Sequence, residues 1–383
     1  KRAERPALER LFGAAMIFLG YFQDDRCDYA ASLRRLRELG IDRAHLCPAL
    51  MYSAIAAETF GVHYADLKPH LPLIRELGYT TSSFIYLMAG GRQAESPVSD
   101  FCRDAAGQPV LEWEIAGAKW FKYTPAKRLA LTRELLSQAH QGLDAVHFDV
   151  LGCTALVEDA LASPPLDRRG DAANRRAMLQ AAADHGLIVS TEGFWGRQTS
   201  VCDIGSVKFA HVLGRGNYCT VPMTMLVYHD CALHGWWEVD NYNNYEHRSQ
   251  FARGHQEQLA FGGGDARLMA AIDALHGLPP DLMPFGLQYN YVPHQHPQFY
   301  LYRHTLDEPA VQAALALAKP VMALHRQVGP LAMVAHKLHR SDGAIQETVF
   351  ADGTRVLANF AEVALEAPGV GLLPPVSWQR GQS

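Results

Sequence analysis

The sequence predicts an α/β protein: a closed (β/α)8 barrel of the TIM type, followed by a small C-terminal all-β appendage. First, an amphipathic helix, a glycine and a short strand follow one another four times along the chain, which is typical of parallel strands joined by crossover helices. Second, the strands are apolar on both faces, as helix-covered parallel strands are. Third, no glycine-rich phosphate loop follows the first strand, which disfavours a dinucleotide-binding fold.

The elements of the barrel can be assigned in chain order. In the first unit, Leu33, Leu36 and Leu39 lie at helical spacing, and Gly40 stands where a helix C-terminus favours glycine. The first, third and fourth helices are predicted over residues 28–39, 125–140 and 171–185. The second helix is predicted to end at residues 75–78. Strands are predicted over residues 14–20, 44–47, 79–88, 145–149, 187–192 and 222–228, with less regular ones near 259–262 and 282–287. Since such barrels take about 250 residues, more with insertions, the barrel is expected to occupy residues 1–330.

Residues 331–383 change in character and are expected to form a small β-strand region. Strands are predicted over residues 332–340, 344–350 and 355–360. Asp352 and Gly353 have the composition of a hairpin turn between the last two. No residue pattern in this region indicates chemistry.

The composition excludes several classes of protein. Of the 383 residues, 48% are hydrophobic and 20% are charged, which is ordinary globular composition. The formal net charge of −5 argues against a protein that coats nucleic acid or an anionic membrane, because either needs a basic face. The longest apolar run, residues 11–22, is too short to cross a bilayer. We therefore expect neither a nucleic-acid nor a membrane partner.

The cysteines and the first residue bear on processing and compartment. The seven cysteines are odd in number and form no CxxC pair, which disfavours a structural zinc site and a full disulfide framework. Most are expected to be reduced and buried. The chain begins with Lys1 instead of Met, which leaves open a removed leader or upstream domain. Cytoplasmic and secreted locations both stay open, as does the oligomeric state.

Two carboxylates end consecutive predicted strands. Asp149 ends the strand 145–149, and Glu192 ends the strand 187–192. Catalytic side chains of such barrels lie at the carboxyl ends of the strands, and successive strands are neighbours. Glycoside hydrolases use a pair of carboxyl groups, which lie about 5–5.5 Å apart in retaining enzymes and about 6.5–9.5 Å apart in inverting enzymes. The sequence does not decide between the retaining and the inverting mechanism. Either acid alone could instead cap a helix, but their shared position favours catalysis.

A polar and aromatic segment over residues 228–245 supplies candidate substrate-binding residues. Aromatic faces stack on the apolar face of a sugar ring, while Asp, Asn and His side chains bind its hydroxyl groups. The alternative is a buried aromatic corner followed by asparagine-rich turns. The candidate residues are His229, Asp230, Trp236, Trp237, Asp240 and Asn244.

Two other chemistries deserve consideration. His294 and His296 have ligand-like spacing, and with His229 they define an alternative, a metal-dependent barrel hydrolase. This histidine pair lies late in the chain between two prolines, and a lone HxH is weakly specific, so no metal is expected. Cys153 and Cys231 lie near the proposed site. Neither belongs to a recognisable cysteine nucleophile motif, and buried structural cysteines are commoner.

Short segments resemble a known enzyme group. The segment His147–Phe148–Asp149–Val150–Leu151–Gly152 is similar to the nucleophile strand of glycoside hydrolase families 101 and 129, the α-N-acetylgalactosaminidases. The segment Ser190–Thr191–Glu192–Gly193 resembles their acid/base strand. The likeness spans roughly residues 8–360 and is strong in five patches. Its other segments are residues 158–159 with 167–169 and 174–176, residues 228–230 with 236, 240 and 244, and residues 275–280.

The resemblance implies a retaining α-glycosidase. Asp149 would be the nucleophile and Glu192 the general acid/base, acting on α-linked N-acetylgalactosamine or a related α-galactoside. The partner would be a carbohydrate or glycoconjugate substrate, and no metal or organic cofactor would be needed. Glu238 and Val239 stand where the families lead us to expect a Trp–Gly pair, and the β-sandwich that usually precedes the barrel is absent from this sequence. Another sugar specificity and an inactive carbohydrate-binding barrel are the alternatives.

Overall fold

The structure is a computed structural model that describes much of the barrel and nearly all of the C-terminal region. The described residues are 6–19, 27–48, 51–53, 67–90, 98–115, 118–139, 142–159, 161–162, 165–193, 198, 200–206, 221–235, 266–282, 284–288 and 302–381. Every structural statement that follows concerns these residues.

Up to residue 328 the chain contains both strands and helices, and afterwards it contains only strands. The helices are α1 Tyr29–Glu38, α2 Leu71–Glu76, α3 Pro125–Ala139, α4 Arg168–Asp184, α5 Met223–Tyr228, α6 Ala266–His276 and α7 Pro309–Val328, with 3-10 turns at Pro6–Arg10, Lys68–His70 and Val98–Asp100. The strands are β1 Ala15–Leu19, β2 Ala44–Pro48, β3 Met51–Ser53, β4 Thr80–Tyr86, β5 Ala89–Gly90, β6 Leu111–Ile115, β7 Ala118–Lys122, β8 Ala145–Phe148, β9 Ile188–Glu192, β10 Ile204–Ser206, β11 Leu233–His234, β12 Asp281–Leu282, β13 Gly286–Gln288, β14 Tyr302–His304, β15 Met333–Leu338, β16 Ile345–Phe350, β17 Arg355–Asn359, β18 Leu365–Ala367, β19 Gly371–Leu373 and β20 Ser377–Arg380.

The parallel strands form the predicted barrel. Strands β1, β2, β4, β8, β9, β10 and β11 are hydrogen-bonded neighbours in chain order, and β12 pairs in parallel with β1. The strand β3 also pairs with β4, further along it than β2. The strands β11 and β12 stand at the two ends of this order and approach each other, so the sheet curls round into a barrel. At the seam, a Cβ on Gly235, just after β11, would lie 3.7 Å from a carboxylate oxygen of Asp281 in β12.

The first helix shows why the local sequence folds as predicted. Asp28 precedes α1, and its carboxylate accepts the backbone N–H of Ala31 at 2.8 Å, which satisfies an otherwise unpaired donor at the helix start. Leu33 and Leu36 are fully buried against the sheet. Gly40 then takes a φ of +90°, a conformation that ends the helix. The helices α3 and α4 lie close to the predicted bounds.

One strand prediction is wrong. Residues 222–228, predicted as a strand, contain the helix α5, in which Met225 is buried while Met223 and Val227 are exposed. A short apolar run is compatible with either structure, so periodicity could not decide between them. The barrel strand of this region is β11, further along the chain, and β10 was not predicted. The predicted strand at 259–262 lies outside the described residues.

The barrel interior is apolar at one end. Leu8, Leu11 and Phe12 from the amino-terminal segment pack inside it. Their neighbours include the first residues of four strands, which places this plug at the amino end of the barrel. These neighbours are Met16, Ala145, Ile188, Ile204 and Leu233.

Two buried histidines pair with hydroxyl groups of neighbouring strands. His147 Nδ1 lies 2.7 Å from Ser190 Oγ, and His45 Nδ1 lies 2.8 Å from Thr80 Oγ1. The ring of His147 also stacks on Phe84, with centroids 4.9 Å apart. Burial lowers the pKa of His45 to about 4 and the pKa of His147 to about 3. Both imidazoles are therefore neutral at neutral pH.

Small antiparallel sheets complete the fold. The sheet β5–β7–β6 is inserted between β4 and α3, where the chain leaves the carboxyl end of a barrel strand. The predicted C-terminal strands are confirmed as β15, β16 and β17, and with β20 they form a four-stranded sheet. Phe350 and Val356 from this sheet, with Phe360 just after it, share a core with helices α6 and α7. Within the part of the chain that the structure describes, no helix is both long and apolar enough to cross a membrane.

The buried histidines predict a specific acid sensitivity. A histidine whose folded pKa is depressed binds its proton only in the unfolded chain, so stability falls as the pH drops below the unfolded value of 6.5. Between about pH 6 and pH 4.5 the free energy of unfolding should fall by up to about 1.4 kcal/mol per pH unit for each such histidine. His147→Asn should therefore have a shallower slope than the wild type in urea denaturation across this window. The exposed His185→Asn is the control, and equal slopes for wild type and His147→Asn would contradict the assignment.

Candidate active site

The structure brings the two carboxylates predicted from the sequence together. The strands β8 and β9 pair in parallel, with Phe148 opposite Thr191. Asp149 directly follows β8, and Glu192 is the last residue of β9. Adjacent strands lie about 4.8 Å apart. Side chains alternate along a strand, so Asp149 faces the interior with His147, which already contacts the β9 residue Ser190. Asp149 is buried, and Glu192 is half-buried.

The residue after Asp149 has a strained backbone. Val150 has a φ of +47°, a left-handed conformation that costs a β-branched residue about 1–3 kcal/mol. In this conformation its N–H donates to Glu192 Oε2 at 3.2 Å. The strand that carries one carboxylate thus binds the other carboxylate directly. Such strain is typical of functional sites.

The loops after β8 and β9 touch through two glycines. The N–H of Gly152 donates to the carbonyl oxygen of Glu192 at 3.0 Å. A Cβ on Gly152 would lie 2.6 Å from that oxygen, and a Cβ on Gly193 would lie 2.8 Å from the carbonyl carbon of Gly152. These contacts are closer than any side chain allows, so both positions require glycine. The backbone contact fixes the loops after β8 and β9 relative to each other.

A buried ionic group lies behind the loop that follows Asp149. Asp171, in the first turn of α4, is fully buried between Arg128 of α3 and Arg175 of α4. Its Oδ2 lies 3.0 Å from the Arg175 guanidinium and accepts the N–H of Val157, also at 3.0 Å. Both buried arginines are thereby compensated by a carboxylate, as burial of charge requires.

Arg175 holds the same loop through its backbone carbonyls. It donates to the carbonyl oxygens of Leu151 at 2.9 Å, Thr154 at 2.8 Å and Ala155 at 2.7 Å. Residues 151–157 are therefore fastened to α4. In the sequence, Arg175 stands out only as part of a patch of family resemblance. The signal for its role was its spacing of four residues from Asp171, which places the two side chains on one helix face.

Cys153 lies against both carboxylates. The residue is exposed to solvent, yet partial burial of its thiol and the negative charges of Glu192 and Asp149 raise the pKa of that thiol to about 12. The sulfur stays protonated at neutral pH, and it lies 3.6 Å from the carbonyl oxygen of Val150. A protonated thiol is a poor nucleophile, so the site is better suited to carboxylate chemistry than to cysteine catalysis.

The structure does not bring His229 and Asp230 to the carboxylates. A strand over residues 222–228 would have placed His229 and Asp230 at its carboxyl end. The barrel strand is β11 instead, and both residues precede it, so they lie at the amino end of β11. His229 is buried, with Nδ1 2.5 Å from the Leu331 carbonyl oxygen and Nε2 3.1 Å from the Gly277 carbonyl oxygen. Its ring packs against Phe350 of the C-terminal sheet. This environment suits a packing role, and Asp230 is exposed to solvent.

Several other candidates fall outside the described residues. These are Trp236, Trp237, Asp240, Asn244, His294 and His296. Among the residues that are described, no group of three or more His, Cys, Asp or Glu side chains has an arrangement that could hold a metal ion.

The fold is similar to that of solved α-glycosidases. The α-N-acetylgalactosaminidase NagBb from Bifidobacterium bifidum, in complex with GalNAc, has a TM-score of 0.70 and 18% sequence identity, covering 94% of this chain and 58% of that one. Its complex with Gal-NHAc-DNJ also has a TM-score of 0.70, at 19% identity and the same coverage. A GH36 α-galactosidase from Geobacillus stearothermophilus, in complex with raffinose, has a TM-score of 0.52 and 10% identity, covering 95% and 52% of the two chains.

These likenesses support the barrel fold of this chain. No protein-family model and no curated protein matches the chain, so membership of families 101 and 129 is not confirmed. The chain spans 58% of the length of NagBb.

The thiol of Cys153 offers a test of this geometry that needs no activity. Its alkylation by iodoacetamide, followed by mass spectrometry of the Cys153 peptide, should stay slow at pH 8 and accelerate only well above it, because the thiolate reacts and the pKa is about 12. Glu192→Gln removes a neighbouring negative charge and should shift this profile to lower pH. Glu158→Gln, at an exposed carboxylate, is the control. Identical profiles for Glu192→Gln and wild type would show that Glu192 does not lie beside Cys153.

Proposed function

We propose that this protein is a retaining α-glycoside hydrolase that acts on α-linked N-acetylgalactosamine or a related α-galactoside. The observation that carries the proposal is the placement of Asp149 and Glu192 on adjacent strand ends, in direct register. Support also comes from the fold, which is similar to an α-N-acetylgalactosaminidase and an α-galactosidase. Carboxylates on adjacent strands suit the spacing of about 5–5.5 Å of retaining enzymes better than the wider spacing of inverting ones.

In the first half of the reaction, Glu192 is the general acid and Asp149 the nucleophile. Protonated Glu192 donates its proton to the glycosidic oxygen, and the bond between that oxygen and the anomeric carbon breaks. The Asp149 carboxylate attacks the anomeric carbon and forms a covalent ester with the sugar. The aglycone leaves as a neutral alcohol, and Glu192 is left as a carboxylate.

In the second half, water replaces the aglycone. The Glu192 carboxylate takes a proton from the water, whose oxygen attacks the anomeric carbon and breaks the ester to Asp149. Two inversions give net retention. Both carboxylates return to their starting states, so no metal or organic cofactor is needed.

The surroundings of the two carboxylates fit these roles. The N–H of Val150 holds Glu192 Oε2 at 3.2 Å, which keeps the acid/base beside the strand that carries the nucleophile. Asp149 has 7% of its surface exposed, so little bulk water competes with the sugar for its oxygens. Arg175 holds the loop after Asp149 in place, as a preorganised site requires.

The substrate contacts are proposed on the segment that follows β11. Trp236 and Trp237 come next in the sequence after the carboxyl end of that strand, which is the end where Asp149 and Glu192 lie. Their rings would stack on the sugar, and Asp240 and Asn244 would bind its hydroxyl groups.

Hydrolysis of a panel of aryl α-glycosides tests the proposal. The panel contains GalNAc, galactose, glucose and GlcNAc substrates, and we expect the GalNAc or galactose substrate to be cleaved with retention, as followed by NMR. Asp149→Ala should abolish turnover, and azide should restore it by forming the inverted glycosyl azide, because azide attacks from the side that the carboxylate vacates. Glu192→Ala should lower kcat by about 10²–10⁴-fold on substrates with poor leaving groups.

The controls separate the alternatives. Glu158→Ala, at an exposed carboxylate, should have wild-type activity, and a chelator should have no effect. Loss of activity on chelation would favour the metal-dependent hydrolase. If the product has the inverted configuration, Asp149 acts as a general base and not as a nucleophile. A wild-type protein that binds the sugars and cleaves none of them would be a carbohydrate-binding barrel.

A further inference from the structure

A cavity of about 760 Å³ adjoins the loops that follow the two carboxylates. Leu151 and Gly152 line it from the loop after β8, and Gln198 lines it from the segment after β9. Gly152 is the residue whose N–H binds the Glu192 carbonyl oxygen. The cavity therefore adjoins the loop that contacts the backbone of Glu192, and among the described residues neither carboxylate lines it directly. The catalytic scheme above assigns no ligand to it.

One face of α4 forms the opposite wall. Arg169, Ala172, Ala173 and Arg176 all line the cavity, and their spacing of three, four and seven residues places them on one side of a helix. The two alanines leave room for an occupant, while the arginines stand at either end of the face. Asp167 caps this helix by accepting an N–H of the first turn at 2.7 Å.

Arg169 and Arg176 on this face make no ion pair within the described part of the chain. Glu158 pairs with Arg168 at 3.1 Å, and Asp171 is bound by the buried arginines behind the loop. Arg169 and Arg176 are exposed, and across the described part of the chain no hydrogen bond or ion pair involves either side chain. The cavity therefore combines an apolar surface with two positive charges. An occupant with complementary chemistry has an apolar body and a negative charge.

We infer that this cavity is a leaving-group subsite for an apolar aglycone that carries a carboxylate, sulfate or phosphate. The apolar body packs on Leu151, Leu156 and the alanines of α4, and Arg169 and Arg176 bind the anionic group. The inference rests on the proposed function, because Glu192 is the group that protonates the leaving oxygen and the cavity lies beside its loop. It adds a preference for acidic aglycones to that function.

The experiment compares two aryl glycosides of the sugar identified by the panel. One carries 4-nitrophenol, and the other carries 3-carboxy-4-nitrophenol, which has the same chromophore and an added carboxylate. The ratio of their kcat/KM values should favour the acidic aglycone in wild type. Arg169→Gln and Arg176→Gln should each lower that ratio by about three- to tenfold, while kcat/KM for the neutral substrate stays unchanged. Arg168→Gln, whose arginine pairs with Glu158, is the matched control.

A binding measurement keeps the inference testable without turnover. The probe is 8-anilinonaphthalene-1-sulfonate, an aromatic sulfonate, titrated by fluorescence at low salt. Its Kd should rise about three- to tenfold in Arg169→Gln and Arg176→Gln and stay unchanged in Arg168→Gln.

The outcomes of the two inferences are distinguishable. If the neutral substrate is cleaved and the aglycone ratio is the same in all variants, the subsite is overturned while the glycosidase function stands. If no substrate is cleaved but the arginine variants weaken binding of the sulfonate, the anion site stands and its leaving-group role fails. If neither the ratio nor the sulfonate Kd responds to Arg169→Gln or Arg176→Gln, the site does not exist.

Discussion

The parallel register of β8 and β9 is the constraint on which the proposed chemistry depends. Because Phe148 stands opposite Thr191, the residue that follows each of them is a carboxylate, and both carboxylates lie at the same end of the barrel. A shift of one residue would turn one of them out of the interior. The apolar plug at the amino end and the helices α3 and α4 outside the sheet fix this register through their packing on alternate residues.

Local contacts convert that register into a rigid site. The backbone contact of Gly152 with Glu192 and Gly193 leaves no room for a side chain, and Val150 accepts a strained conformation whose N–H binds Glu192. Arg175 holds the carbonyls of the same loop from behind. The cost of strain and of buried charge at this place is offset by the packed barrel around it. The same rigid loop also forms one wall of the neighbouring cavity.

The sequence predicted what strong periodicity and strand ends determine. The helix–glycine–strand repeat predicted the barrel. The strand ends placed Asp149 and Glu192 on adjacent strands, and their catalytic roles stay a prediction. The sequence could not predict β10 and β11, which are only three and two residues long. Strands this short are too short to show an apolar periodicity. The apolar run at 222–228 has no period that separates helix from strand. That error misplaced His229 and Asp230. The Arg128–Asp171 contact joins residues 43 positions apart, so only the fold reveals it.

The most direct test of the account is to identify the residue that carries the sugar. A 5-fluoro-α-glycosyl fluoride of the preferred sugar slows the second half of the reaction, so the ester should accumulate and be found by peptide mass spectrometry. The account requires the adduct on Asp149, in the peptide that contains residues 147–152. An adduct on Glu192 would reverse the two roles. Turnover of this probe without any covalent adduct would contradict double displacement.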